Sequence, residues 1–80
     1  MKSKSYVVEG TTTAYKVRFS VYKEGSLKDK IMVGLFKRGS LFWDCIEHDL
    51  YSQRQPELAE EQFNLLCARA DNAAKEGATE

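Results

Sequence analysis

The chain has one proline, two cysteines, one histidine, one tryptophan and no net charge in its 80 residues. Each shortage excludes something. Cys45 and Cys67 stand far apart with no C-x-x-C spacing, so no disulfide framework is expected and both read as buried, inert thiols. No run approaches the roughly 18 apolar residues of a membrane span. The opening MKSKSYVVEGTTT carries lysines but lacks the apolar core of a secretory leader, so the expectation is a cytoplasmic protein without membrane association. No phosphate-binding P-loop, no dinucleotide-binding glycine pattern and no H-E-x-x-H helix occurs, which leaves no motif that specifies a chemistry.

Metal and catalytic readings fail on the same scarcity. Cys45, His48 and Cys67 are the soft ligands, and Asp44 or Asp49 would have to complete a set of four. In a regular strand, residues three apart point to opposite faces, which separates Cys45 from His48. His48 lies among Asp44, Glu47 and Asp49, but nothing supplies a nucleophile or a pocket, so it reads as a solvated histidine. No enzyme activity, metal or cofactor is expected.

What is present is a foldable composition, 42% apolar and 11% aromatic, at a size where one core supplies only about 3 to 5 kcal/mol and encloses no large cavity. The neutral total hides a division. Residues 1–40 hold nine Lys/Arg against three acids, and residues 41–80 hold three against nine, so the halves carry +6 and −6. Either the halves attract each other or the basic half is a binding face.

Residues 14–23, AYKVRFSVYK, alternate: Tyr15, Val17, Phe19 and Val21 on one face, Lys16, Arg18, Ser20 and Tyr22 on the other, the pattern of a half-buried strand. Shorter β-type runs cover 5–8 and 30–36. Glu9-Gly10 and the threonines at 11–13 read as a turn, and 24–29 as a connection. Arg38-Gly39 reads as a two-residue hairpin loop, which makes 40–46 a strand and sets Trp43 over Gly34. The competing reading makes 41–51 a short helix. From Pro56, apolar residues at 59, 63, 66, 70 and 73 recur at helical spacing, with Cys67 and Ala74 beside them, predicting a helix over 56–75 that stops at Gly77.

The expected fold is therefore α+β, one domain: a three- or four-stranded antiparallel meander packed by one C-terminal amphipathic helix. Both faces of the 30–46 hairpin are apolar, and one helix covers one face. Ile31, Val33, Leu35, Phe42 and Ile46 are assigned to the core. The surplus face takes Met32, Phe36, Leu41, Trp43 and Cys45, joined by Lys16, Arg18 and Tyr22, with Lys37 and Arg38 at the tip. Aromatic, methionine and arginine side chains of this kind are enriched in protein interfaces.

AYKVRFSVYKEG followed by GLFKRG resembles the three-stranded arm-binding domains of phage integrases over residues 14–39. Residues 41–55 do not follow that pattern, and no residue role is carried over from it. Strands with a basic, aromatic face are similar in general terms to single-stranded nucleic-acid binders, without the signature of an RNA-recognition motif. The expectation is a non-enzymatic protein-binding module, an inhibitor or adaptor of the size phages and mobile elements encode, acting on another protein or on a second copy as a homodimer. The alternative is a nucleic-acid binder that uses the basic half.

Overall fold

The computed structural model describes residues 2–10 and 13–79, with side chains through Lys75. Strands β1 (Lys4–Glu9), β2 (Ala14–Val21), β3 (Lys30–Arg38) and β4 (Trp43–Ser52) form one antiparallel sheet in chain order, and helix α1 (Pro56–Thr79) packs across it. The predicted α+β meander is thus a four-stranded one. Of the predicted turn over 9–13, Thr11 and Thr12 lie outside the described residues. Gly10 N–H donates to the Thr13 carbonyl at 2.7 Å.

The alternation in β2 places its odd residues under the helix. Val17, Phe19, Ile31, Val33 and Leu35 meet Ala59, Phe63, Leu66 and Ala70 in one core, and each is at most 8% exposed. Phe19 and Phe63 meet edge to face with centroids 6.0 Å apart. Lys4 closes the rim: its Nζ lies 5.1 and 4.8 Å from those two ring centroids and ion-pairs with Glu60 at 2.7 Å. Ala74, not the expected Ala73, completes the buried helical stripe.

Several boundaries differ from expectation. β2 stops at Val21, because Tyr22 N–H donates to the Lys30 carbonyl and the chain then turns through hydrogen bonds from Lys28 N–H to Gly25 and from Lys30 N–H to Leu27. Gln53 locks this end of the sheet, donating through Nε2 to the carbonyls of Tyr22 (2.8 Å) and Lys30 (3.1 Å). The helix begins at Pro56 as predicted but runs through Gly77 to Thr79.

The largest correction concerns the β3–β4 hairpin. Residues 41–51 are not a helix, and residues 43–52 form the strand. The loop is not the two-residue Arg38-Gly39 turn: Arg38 pairs with Trp43, and Gly39 N–H donates to the Phe42 carbonyl at 2.8 Å across a four-residue connection. Glycine is needed at 39 for room. A Cβ there would stand 2.6 Å from Asp44 Oδ2 and 2.8 Å from the Phe42 carbonyl oxygen. Further along, Leu35 pairs with Glu47 while Phe36 pairs with Cys45, leaving Ile46 as an extra residue in a bulge. His48, not Trp43, therefore stands opposite Gly34. Phe42 and Ile46, expected in the core, are 76% and 49% exposed for the same reason.

Three groups on the helix side have raised pKa values. Burial raises the Cys67 thiol, with Asp71 adding to the effect and Lys4 opposing it. Burial also raises the Tyr51 phenol, helped by Asp49 and Glu47. Tyr6 is raised first by donating its hydroxyl to Asp71 Oδ1 at 2.7 Å. An acid with a higher pKa in the fold than in the unfolded chain holds its proton more tightly in the native state. The stability it contributes is complete below its unfolded value and is lost as pH rises through the folded one. The urea midpoint should hold steady through neutral pH and fall above the ordinary thiol and phenol values of 9.0 and 10.0. Melts at about pH 8 and about pH 11 check this, and Cys67→Ala should shrink the difference. An unchanged midpoint contradicts it.

Candidate functional site

The helix leaves the other sheet face uncovered, and the pairing sets out its rows. At the hairpin end, Glu9, Ala14, Arg38 and Trp43 stand side by side. Val7, Lys16, Phe36 and Cys45 form the next row, followed by Ser5, Arg18, Gly34 and His48. Ser20, Met32 and Leu50 close the series. Six of the nine predicted partner-binding residues fall on this face: Lys16, Arg18, Met32, Phe36, Arg38 and Trp43.

The remaining three are placed differently. Leu41 sits in the connection at 85% exposure, beside Phe42, so the hairpin tip is apolar. Tyr22 follows β2 and is half-buried. Lys37 pairs with Tyr15 and Asp44 and so belongs by alternation to the helix side.

Local packing explains the shape of the face. A Cβ on Gly34 would stand 3.0 Å from Phe36 Cε1, 3.2 Å from Met32 Sδ and 3.3 Å from His48 Cβ. The three side chains therefore lean together over bare backbone, which leaves Met32 and Phe36 half-buried and Gly34 buried. Ala14 is fully buried, and Arg38 Nη1 donates to Glu9 Oε1 at 3.3 Å. Trp43 is 36% exposed, with Lys16 Nζ 5.5 Å from its ring centroid.

Charge is unevenly spent here. Arg38 is matched by Glu9, whereas Lys16 and Arg18 stand beside Ser3, Ser5 and Ser20 around a shallow hollow at the β1–β2 side. The division of charge between the halves is only partly an internal attraction. Of the three ion pairs among the described residues, Lys4–Glu60 joins the basic half to the acidic one, while Glu9–Arg38 and Glu47–Arg69 each lie within a half.

Sequence reasoning missed two features of β4. Cys45, assigned to the surplus face yet read as an inert buried thiol, is exposed, because β4 is an edge strand and its even partners on β3 face away from the helix. Cys45 and His48, expected on opposite faces, share the open one, because the bulge at Ile46 adds a residue between them. Sγ and Nδ1 are 3.6 Å apart. Among the described residues, no group of three or more His, Cys, Asp or Glu side chains converges. Nor is any helix among them long and apolar enough to cross a membrane.

No family model, curated protein or solved structure matches the chain.

Proposed function

We propose that the protein is a non-enzymatic binding module, an inhibitor or adaptor, that seats another polypeptide on the open sheet face and hairpin tip. The observation that supports this reading is the run of apolar surface along one edge. Trp43, Ile46 and Leu50 on β4 are each 36–49% exposed and continue into Leu41 and Phe42 at the tip. Exposed apolar side chains with Lys16, Arg18 and Arg38 on the neighbouring strands have the composition of an interface, with aromatic anchors and a polar margin. β4 also leaves one edge unpaired, a second means of holding an extended chain. Size-exclusion chromatography with light scattering, run with and without nucleic acid, tests it. The expected result is self-association that nucleic acid does not alter. A monomer at every concentration that shifts only on adding nucleic acid counts against it.

The hollow lined by Lys4, Lys16, Arg18, Phe19 and three serines favours one further reading, a single-stranded nucleic-acid binder with Trp43 and Phe36 as stacking surfaces. It ranks second because, among the described residues, Lys16 and Arg18 are the cations of this face that no carboxylate engages, against the acidic second half. If it holds, each phosphate neutralised contributes about −0.7 to the slope of log affinity against log salt, so Arg18→Gln should flatten the slope by roughly that amount. Filter binding at low and moderate salt reads this directly. Binding that ignores salt, or no binding at low salt, removes the nucleic-acid reading.

A further inference from the structure

We propose that Cys45 and His48 are half of a tetrahedral zinc site, completed by the same pair from a second copy of this chain. The bulge in β4 brings the pair together. A regular strand would send these side chains to opposite faces, and the extra residue at Ile46 returns both to the open face with Sγ and Nδ1 3.6 Å apart. With zinc bonds of about 2.3 Å to sulfur and about 2.05 Å to nitrogen, a tetrahedral angle at the metal separates the two ligand atoms by about 3.6 Å. The pair is thus already set for one ion. A thiolate with an imidazole is a borderline-soft set that suits zinc and not magnesium or calcium.

One chain cannot finish the site. Structural zinc takes four protein ligands, and no third His, Cys, Asp or Glu converges here among the described residues. Cys67 belongs to the opposite side of the sheet, packed against the core. Both ligands, however, are exposed, and they sit on an edge strand where a two-fold axis can bring a second β4 alongside. A two-fold contact is self-complementary, so each copy brings the same thiolate and the same imidazole, giving two of each around one ion. Trp43 and Leu50, on the same face of the same strand, would be covered together with the metal. The inference rests on the open face meeting another chain, and it names that chain as a second copy.

The full chain, kept reduced so that no Cys45–Cys45 disulfide can imitate a dimer, is titrated with Zn²⁺ alone and with Co²⁺ as a spectroscopic substitute. At a dilution where the metal-free chain is monomeric, the expected result is a mass that rises from 9.1 kDa to twice that and returns with EDTA, at one ion per two chains, with a thiolate-to-cobalt absorption band. Cys45→Ser and His48→Gln should each abolish the metal-dependent dimer with unchanged circular dichroism, while Cys67→Ser leaves it intact. Three results overturn the proposal: no metal uptake, in which case the pair is a thiol–imidazole hydrogen bond only; one ion bound per monomer; or a dimer indifferent to EDTA and to Cys45→Ser. The last retains the open face as an association surface while removing the metal. A dimer sensitive to zinc but indifferent to Trp43→Ala would support the bridge and count against the apolar interface around it.

Discussion

Leu66→Ala should leave the chain unfolded or close to it at room temperature. Leu66 is 1% exposed and meets the sheet residues of the single core, so truncation removes transfer energy and leaves a cavity, together about 2 to 5 kcal/mol. A domain of this size holds only about 3 to 5 kcal/mol in total. Phe63→Ala should do at least as much, since it also ends the edge-to-face contact with Phe19 and exposes the apolar rim under Lys4. In a domain of 60 to 100 residues each kcal/mol moves Tm by about 4 to 8 °C, so even the smallest expected loss lowers it by roughly 8 °C or more. Thermal and urea melts followed by circular dichroism measure this. Phe63→Leu, which keeps most of the volume, should recover much of the loss. Melting within a degree or two of the parent for both alanine variants would mean the helix does not hold the sheet.

The ion pairs contribute far less, although they are more visible. Lys4–Glu60, Glu9–Arg38 and Glu47–Arg69 all join side chains that are at least 40% exposed, where such pairs contribute about 0 to 1 kcal/mol and weaken with salt. Lys4–Glu60 and Glu47–Arg69 link the helix to β1 and β4, and Glu9–Arg38 links two strands. Raising the salt should leave the fold intact, whereas removing one buried methylene cluster should not.

The parts of this fold that repeat with a period were legible in the sequence. Alternation through AYKVRFSV marked β2 and its buried face, and spacings of three and four from Ala59 marked the buried stripe of the helix. Proline at the first helical position marked its start. A period says nothing, however, about an insertion that breaks it. The four-residue loop and the bulge at Ile46 together shift β4 so that His48 takes the place expected for Trp43 opposite Gly34. The glycine at 39 was read as half of a two-residue turn, when its requirement is space beside Asp44 and Phe42 in a longer loop. The open face was legible because it followed from counting: two apolar faces on the hairpin and one helix. The Cys45–His48 pair was not, because it depends on the residue that breaks the alternation.

Trp43→Ala should separate fold from binding. Trp43 stands at the hairpin end of the face opposite the helix, 36% exposed, with Lys16 placed over its ring. Losing the buried part of the ring together with the cation–π contact costs about 2 to 3 kcal/mol, so Tm should fall by about 8 to 24 °C while the variant still folds at low temperature. An aromatic anchor at the centre of an interface carries about 2 kcal/mol or more, so self-association or partner binding should weaken by at least thirtyfold in the same variant. The parent's fluorescence supplies an independent check, since its only tryptophan reports on this face alone. In the free monomer, emission should be red-shifted and quenched by iodide, and association should move it to the blue and protect it. If the free monomer already emits in the blue, resists iodide and unfolds on truncation, Trp43 is needed by the fold, and the apolar edge of β4 is not a surface held open for another chain.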